Sequence, residues 1–473
     1  MRIGFVLKDN AIAEPLGIMY LSSLLKATGV EARLFVASKR DWLRNLKDYQ
    51  PAVVAYSVIS GSHRHYLGLN RLVRDEIEAL SLFGGPHTTF FPETIYQDKV
   101  DAICIGEGEY PMLDLVRNLA DGSDISGIGN LWVKRDETVH KNPVRPLIQN
   151  LDELPFPDRE IIYEADPYLR ENKIKRFLSN RGCPFNCTYC FNRAYKEIYK
   201  GDKMIRWRSV ENLIGEIEEV GSKYPLELVR LIDDIFILPP LGWLEEFTRV
   251  YRRKVHLPFV CNVQVKAVTE DKVKLLKEAG CAAVYMAIET GNDPLRNRLL
   301  ERKMTNAEIL KAFDLVHRYG ISIAAENILG LPGGSLETDM ETVELNIRCR
   351  VDNPISTLFQ PYPKTWLGEY AVRNGFFGGD FDTLSESYFV GSQLRFSSRS
   401  EKTQIENLHK FFGLVVCHPF LLPLIRIIMR FPPNKIFNLF HRLWDSYCKR
   451  RKIFRVKLSF RDYLSALQRI LRY

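Results

Sequence analysis

The sequence predicts an α/β protein in three parts: a Rossmann-like doubly wound domain, a partial (β/α)6 barrel of the TIM type, and a helical C-terminal region. Short β-rich runs alternate with amphipathic stretches up to about residue 125. Six apolar strand candidates then recur between residue 173 and about residue 398, and the remainder is rich in apolar and basic side chains. We therefore predict domains at residues 1–150, 165–398 and 399–473.

The first domain contains five strand candidates: residues 3–7, 31–36, 53–59, 80–84 and 102–106. Strands that alternate with helices form a parallel sheet, and such sheets bind ligands at the carboxyl ends of their strands. The loops at residues 57–62, 84–89 and 106–109 should therefore form one rim. Their glycines let the backbone approach a large ligand closely. A hairpin and a proline-rich crossover at residues 127–157 mark the linker to the next domain.

The second domain contains six strand candidates: residues 175–179, 228–235, 259–265, 283–289, 321–328 and 356–361. Helical runs separate most of them, which is the pattern of an incomplete (β/α)6 barrel. In barrels the active residues gather at the carboxyl ends of the strands. Polar residues that follow these strands are therefore the candidates for a site.

Three cysteines, Cys183, Cys187 and Cys190, form a C-x3-C-x2-C run. A closed electron-transfer cluster uses four thiolates, so three on one short loop leave one corner of a four-iron cluster free for a substrate or cofactor. Tyr189 places an aromatic ring beside that cluster. The alternative is a zinc knuckle, which needs a fourth Cys or His nearby. The next such residue, His256, lies far downstream.

The cysteine run, with Glu289-Thr-Gly291 and Gly330-Leu-Pro-Gly333 further along, resembles the signature of the radical S-adenosylmethionine (radical SAM) enzymes. In that family the free iron binds the amino and carboxylate groups of S-adenosylmethionine (SAM). One electron from the cluster then cleaves SAM to a 5′-deoxyadenosyl radical. The resemblance implies that Cys183, Cys187 and Cys190 are the metal ligands of a 4Fe–4S cluster and the catalytic residues.

The same resemblance implies six cofactor-binding residues for SAM: Tyr189, Asp234, Asn262, Glu289, Ile328 and Leu329. Alternatives remain open for the polar ones. Asp233 and Asp234 also suit the capping of a following helix. Asn262 and Gln264 share one face of their strand, and they also suit a role as filling of the barrel interior.

The first domain resembles the cobalamin-binding domain of cobalamin-dependent radical SAM proteins, through its serine-containing loop, its Gly-Gly-Pro-His loop and its Gly-Glu-Gly-Glu loop. The resemblance implies five cobalamin contacts: Ser57, Gly84, Gly85, His87 and Glu107. The best-known domains of this kind also offer a histidine from a loop near the first strand. Residues 8–17 contain none, so we expect the lower axial site of a bound cobalamin to be vacant or filled by water or a nonmetal contact. The alternative is a flavodoxin-like domain whose glycines only form turns.

Composition and charge indicate the cellular compartment of the protein and the classes of molecule that it binds. Six of the nine cysteines are scattered singly, and the first strand begins within a few residues of Met1, which predicts a reduced cytoplasmic protein without a secretory signal. Residues 401–473 carry 15 Lys and Arg against 4 Asp and Glu, so the tail accounts for the net charge of +8. A basic tail rather than a basic catalytic face disfavours nucleic acid as the substrate. The tail itself predicts either a helical cap on the barrel or peripheral contact with anionic lipid at the inner membrane face.

Within the cobalamin-binding group, the resemblance implies methyl transfer to an unactivated carbon as the commonest activity. The alternatives are radical cyclisation, rearrangement or oxidation, and a noncatalytic cobalamin or cluster sensor. The expected partners are a small-molecule, lipid or glycan-precursor substrate and an electron donor such as flavodoxin or ferredoxin. Gln360 and Tyr362, at the end of the sixth barrel strand, are candidates for contact with substrate or cobalamin, and Tyr362 also suits a structural role.

Overall fold

The computed structural model describes residues 1–9, 13–385, 387, 389 and 391–456. The chain forms two compact units. Unit 1 comprises residues 1–172 and 194–206, and unit 2 comprises residues 173–193 and those from 207 onward. The chain therefore leaves unit 2 just after the cysteine run, contributes a short segment to unit 1, and returns.

The described part of unit 1 is built on one sheet. Its strands are β1 (Arg2–Leu7), β2 (Glu31–Val36), β3 (Val53–Ser57), β4 (Leu80–Gly84), β5 (Ala102–Cys104), β6 (Leu131–Arg135) and β7 (Thr138–Lys141). The first five are parallel in the order β2-β1-β3-β4-β5, and the antiparallel hairpin β6-β7 extends the sheet beside β5. This confirms the predicted doubly wound, Rossmann-like arrangement.

Two strands of unit 1 are shorter than the sequence predicted. β3 ends at Ser57 because the chain then turns, with Ser62 N donating to Ile59 O at 3.2 Å. β5 ends at Cys104, ahead of a turn at Gly106, whose φ of 79° is a conformation that glycine adopts without strain.

Helices cover the sheet: α1 (Leu16–Ala27), α2 (Trp42–Tyr49), α3 (His63–Glu76), α4 (Pro86–Phe90), α5 (Glu109–Asp121), α6 (Glu160–Ala165) and α7 (Pro167–Glu171). Strand residues such as Val54, Phe83 and Ile103 are fully buried and pack with Val73 of α3. Apolar strands of this kind are typical of parallel sheets that are covered on both faces.

Unit 2 contains the predicted partial barrel. Its parallel strands are β8 (Ile174–Phe177), β11 (Leu228–Leu231), β12 (Phe259–Val263), β13 (Cys281–Met286), β14 (Ser322–Leu329) and β15 (Asn353–Leu358), and they pair in that order. Two short strands, β9 (Asn180–Arg181) and β10 (Arg206–Trp207), flank the cysteine segment. β11 and β13 end three to four residues earlier than predicted, because the chain turns at Asp233 and at Glu289, whose φ is 67°.

The helices from this part of the chain are α8 (Phe191–Ile198), α9 (Val210–Lys223), α10 (Leu241–Lys254), α11 (Glu270–Ala279), α12 (Asn306–Arg318), α13 (Leu336–Arg348) and α14 (Trp366–Arg373). Phe259 of β12 meets Phe247 of α10 at a ring distance of 5.7 Å, so this face of the sheet is the outer one. Val260, the next residue, lies on the opposite, inner face of the half-barrel.

The C-terminal region forms α15 (Arg399–Cys417), α16 (Leu422–Ile428) and α17 (Lys435–Cys448). α15 packs on β15 and α13, where Leu408 and Phe412 are fully buried against Leu358 and Val343. A π-helical turn, Lys449–Ile453, follows α17. In the part of the chain that the structure describes, no helix is long and apolar enough to cross a membrane.

Candidate active site

The cysteine run lies on the loop between β9 and α8, directly after the first barrel strand. Thr188 fixes the middle of this loop, because its N–H and Oγ1 donate to the carbonyls of residues 300 and 299 at 3.3 and 2.6 Å. Cys183, Cys187 and Cys190 form no disulfide, and Cys187 is buried while the other two are half-buried. The loop therefore presents three thiols from a rigid support.

The surroundings of Cys190 oppose ionisation of its thiol. Burial raises the pKa of Cys190 to about 11, the N–H of Asn192 at 3.5 Å from Sγ opposes this, and the charges of Asp234, Cys187 and Cys183 add to it. A thiol in such a place becomes a thiolate when a bound cation offsets its burial. A mononuclear zinc site needs four donors around one ion, and among the described residues no three His, Cys, Asp or Glu side chains are gathered around a single ion position. The thiolates of a four-iron cluster bind separate irons, so they do not need that arrangement.

A buried network joins Tyr189, Glu289 and Arg302 to the cysteine loop. Tyr189 OH donates to Glu289 Oε1 at 2.5 Å. Arg302 Nη1 lies 3.4 Å from Tyr189 OH, 3.6 Å from Cys187 Sγ and 3.9 Å from Glu289 Oε1. Burial raises the pKa of Glu289, whereas Arg302 and Tyr189 oppose that rise. A carboxylate and a guanidinium therefore lie side by side next to a cluster-loop thiol.

The loop that carries Glu289 and Arg302 is held by a second buried arginine. Arg296 is fully buried, and its guanidinium donates to Thr290 O at 2.8 Å and to Met304 O at 2.9 Å. These bonds tie the two ends of the loop together. Because both ends are fixed, the positions of Glu289 and Arg302 relative to each other are fixed as well.

Gly291, the glycine of the Glu-Thr-Gly motif, is required by packing. A Cβ at this position would lie 2.1 Å from the backbone oxygen of Glu341 on α13. Any larger residue would therefore push this loop away from α13, and with it Glu289.

The two aspartates after β11 have different surroundings. Asp233 is fully buried, and its Oδ1 accepts from Ser179 N at 2.6 Å and Asn180 N at 2.7 Å. Burial raises the pKa of Asp233 to about 6. Asp234 is exposed, and its Oδ2 accepts from Asn192 Nδ2 at 3.1 Å. Asp233 thus supports the start of the cysteine loop, and Asp234 lies at that loop's far end.

The polar residues at the end of β12 are engaged within the barrel. Asn262 Oδ1 accepts from Arg230 Nη2 at 2.5 Å, and its Nδ2 donates to Asp233 O at 2.7 Å. Gln264 is buried and caps a short helical turn by accepting from Lys266 N. Of the two, Asn262 is the less buried.

Ile328 and Leu329 lie at the end of β14. Ile328 N donates to Glu289 O at 2.7 Å, and Leu329 O accepts from Phe359 N at 3.0 Å. These backbone groups are therefore used by the protein itself, whereas the half-buried side chain of Ile328 lies with Tyr189 in one apolar cluster.

Gln360 and Tyr362 follow β15. Gln360 Nε2 donates to Gly391 O at 3.1 Å, while its buried Oε1 has no hydrogen-bond partner among the described residues. Tyr362 packs against Phe191, with ring centroids 5.6 Å apart. The structure therefore places both side chains in unit 2, Tyr362 beside the residue that follows Cys190.

In unit 1, the carboxyl ends of β3 and β4 bring Ser57 and Gly84 together as register partners. A Cβ on Gly84 would meet Tyr56 O at 3.8 Å and Cys104 Cβ at 3.9 Å, which are ordinary contact distances, so packing does not require a glycine at this position. Gly85 differs, since its φ is 92° and a Cβ would lie 2.8 Å from Val58 N. Gly85 is therefore required by the turn itself, whereas Ser57 is exposed at the same rim.

His87 lies in a stack of rings at this rim. It stacks on His63 at 4.3 Å and on Phe91 at 4.9 Å, and its Nδ1 is 3.2 Å from Ser60 Oγ. The imidazole is buried, so its place is fixed by these contacts.

Glu107 connects two other segments of unit 1 through hydrogen bonds. Its Oε1 accepts from Arg206 Nη1 at 2.8 Å and its Oε2 from Ile148 N at 2.9 Å. Its carboxylate is thus committed to the segment that follows the cysteine run. Residues 10–12 of the first loop lie outside the described residues, and the described remainder of residues 8–17 contains no histidine.

Comparison with known proteins decides the family. A model of the B12 binding domain matches residues 4–116, and a model of the Radical SAM superfamily matches residues 177–345. The chain belongs to the cobalamin-binding radical SAM enzymes. The order of the two domains is the one that the sequence predicted.

Three proteins illustrate the similarity to this radical SAM enzyme. An uncharacterized methyltransferase of Pyrococcus horikoshii is 27% identical over 371 residues, covering 76% of this chain and 79% of the relative. The anaerobic magnesium-protoporphyrin IX monomethyl ester cyclase of Rubrivivax gelatinosus is 26% identical over 372 residues, covering 74% and 64%. The radical S-adenosylmethionine methyltransferase TsrM of Kitasatospora setae has the same fold, with a TM-score of 0.66, 18% identity and coverage of 79% and 76%.

The cofactors of this radical SAM enzyme are a 4Fe–4S cluster, SAM and cobalamin. The thiols of the cysteine run fit the cluster, since a backbone N–H already faces Cys190 Sγ as in thiolate-bound clusters. The exposed Ser57 and its register partner Gly84 lie at the carboxyl ends of parallel strands, which is where such sheets bind a large ligand.

Arg302 is the site residue that sequence reasoning missed. It stands between Glu301 and Lys303, and such a run of charges is ordinarily a solvated loop. In the structure both neighbours have positive φ values of 52°, which turns the side chain of Arg302 inward. The one signal in the sequence was its position shortly after the Glu-Thr-Gly motif.

Proposed function

We propose that this radical SAM enzyme transfers a methyl group to an unactivated carbon of a small-molecule, lipid or glycan-precursor substrate. The observation that carries the proposal is the buried network of Tyr189, Glu289 and Arg302 against Cys187, in a chain that also carries a cobalamin domain. The methyltransferase relative supports methyl transfer as the reaction.

The network offers complementary groups to the two charged ends of the methionine part of SAM. Glu289 accepts hydrogen bonds from the ammonium group, and Arg302 donates to the carboxylate. Tyr189 orients Glu289 through its hydroxyl. When bound, the cluster supplies the electron that cleaves SAM, and cobalamin carries the methyl group. The protein's task is to hold SAM against the free corner of the cluster and to exclude water.

The test is to reconstitute the protein anaerobically with iron, sulfide and cobalamin, add SAM with a low-potential reductant, and measure two products. We expect 5′-deoxyadenosine from reductive cleavage and S-adenosylhomocysteine from loss of the SAM methyl group. Cys187→Ala should abolish the first product, because the cluster loses a ligand. Cys349→Ala, at a buried cysteine on α13's C-terminal side, is the matched control and should retain it. No 5′-deoxyadenosine from the unaltered protein would indicate a sensor.

Radical cyclisation or oxidation is the second candidate, favoured by the similarity to the cyclase of Rubrivivax gelatinosus. The two candidates differ in the second product of the same assay. 5′-Deoxyadenosine without S-adenosylhomocysteine would replace methyl transfer by this alternative.

We also propose a reducing cytoplasmic compartment and a flavodoxin or ferredoxin as electron donor. All nine cysteines lie among the described residues and none of them forms a disulfide, which supports the first part. Replacing the chemical reductant by a reduced flavodoxin should sustain SAM cleavage. Failure of several flavodoxins and ferredoxins to do so would overturn the second part.

A further inference from the structure

Helices α16 and α17 bury one face against the rest of unit 2. Ile425 and Met429 are almost fully buried in a cluster with Phe411 of α15. On α17, Phe437 and Phe440 pack against the same Phe411, with ring distances of 5.0 and 5.3 Å. The helices thus form the helical cap on the barrel that the sequence offered as one alternative.

The opposite face of these helices is also apolar, and it faces solvent. Along residues 419–431 and along α17 the large exposed side chains recur every three or four positions, the spacing that puts side chains on one side of a helix. We call each of the two sets a stripe. The first stripe is Phe420 (76% exposed), Leu424, Ile427 and Phe431, and the second is Ile436 (76% exposed), Leu439, Leu443 and Tyr447. Single exposed apolar residues are ordinary, but two stripes on neighbouring segments mark an interaction surface.

The charges around the two stripes are almost all positive. Residues 418–456 contain nine Lys and Arg against a single acid, Asp445. Asp445 is already paired with Lys449 at 2.7 Å. Arg426 and Arg430 are exposed on the first segment, and Lys435 is exposed at the first position of α17. An occupant of this surface therefore has to be apolar in its middle and negative around it.

We propose that the two stripes and their flanking basic residues dock on the surface of a bilayer that contains anionic lipid. Bulky Phe, Ile and Leu side chains enter the boundary between headgroups and acyl chains, while the arginines and lysines meet the phosphates. The anchor lies on helices that also pack on the barrel, so docking holds unit 2 at the lipid surface. The inference is independent of the reaction that the enzyme catalyses.

The test is flotation of the full-length protein with vesicles of phosphatidylcholine alone or with about 30% phosphatidylglycerol. We expect binding to the anionic vesicles, and about a tenfold lower bound fraction in the triple variant Leu424→Ser, Ile427→Ser, Ile436→Ser. The charge variant Arg426→Glu, Arg430→Glu should lose binding to a similar extent. Leu72→Ser removes a side chain that is 53% exposed in unit 1, and as the matched control it should bind like the unaltered protein.

Two further readouts keep the result unambiguous. SAM cleavage without vesicles should be equal in all variants, since none of these positions belongs to the active site. Equal binding to neutral and anionic vesicles, or none to either, would overturn the proposal. A concentration-dependent dimer that the triple Ser variant abolishes, without vesicle binding, would instead show that a second copy covers these stripes.

Discussion

Arg302 and Glu289 form a pair in which each member depends on the other. Both side chains are almost fully buried, and the guanidinium also contacts Cys187 and Tyr189. Separating such a pair leaves one charge buried without compensation, which costs more than the pair itself contributes. A single substitution in this pair should therefore weaken SAM binding more than a substitution elsewhere in the site.

We predict that Arg302→Gln raises the Kd for SAM about a hundredfold, because it removes the charged donor to the SAM carboxylate, and loss of a buried charge-assisted hydrogen bond to a ligand costs about 3 kcal/mol. Equilibrium dialysis of the reconstituted protein with labelled SAM measures this. Arg298→Gln, at an exposed arginine on the same loop, is the control and should bind SAM normally. Equal affinities for the two variants would contradict the role given to Arg302.

For single residues, the sequence predicted which side chains belong to the site better than it predicted how those side chains are arranged. The spacing of the cysteines places three thiols on one loop whatever the surroundings are. Asp233 and Asp234, by contrast, are equivalent in the sequence, and only the N–H groups of Ser179 and Asn180, more than fifty residues away, decide which of them is buried. Long-range contacts of this kind leave no local pattern.

Among the elements, the turn from β14 into α13 depends on one buried carboxyl group. Asp339 Oδ2 accepts from Gly330 N at 2.9 Å. Burial raises the pKa of Asp339 to about 8, the N–H of Gly330 opposes this, and Glu401 adds to it. The folded chain therefore holds a proton here that the unfolded chain releases at a much lower pH.

This makes the stability of the protein depend on pH in a defined direction. The folded pKa lies above the ordinary value of 3.8, so the contribution of Asp339 is complete below that value and is lost as the pH rises toward about 8. We predict that Asp339→Asn, which keeps the acceptor, removes this loss and flattens the stability profile by about 1 kcal/mol or more between about pH 5 and pH 8. Apparent thermal midpoints at the two pH values measure it.

The control for this prediction is Glu344→Gln, at an exposed carboxylate on the same helix. Its profile should follow that of the unaltered protein. Parallel profiles for all three proteins would show that Asp339 is ionised in the fold.

At the scale of the whole molecule, the C-terminal region completes unit 2. Ile453 is fully buried in a cluster with Leu228, Val260 and Ala324, which lie on three different barrel strands. Composition alone left two alternatives for this region, because apolar and basic residues suit both a cap and a lipid surface. The distinction depends on which face each residue occupies, and that is set by packing on α15 and the barrel.

We predict that Ile453→Ala destabilises the protein by about 3 kcal/mol, because it leaves a cavity in the concave side of the half-barrel. Ile436→Ala makes the same chemical change at a side chain that is 76% exposed, and it should be close to neutral. Apparent thermal midpoints and iron content after reconstitution provide the comparison. Equal midpoints would place Ile453 outside the core.

The position of Ile453 in the chain has a consequence for biosynthesis. During translation, Leu228, Val260 and Ala324 are synthesised more than a hundred residues before Ile453, whose side chain packs against them. While the chain is being made, the half-barrel lacks part of its core, whereas every residue of unit 1 has been synthesised by position 206. Unit 1 can therefore mature first. Unit 2 therefore cannot complete this part of its core until residue 453 has been synthesised.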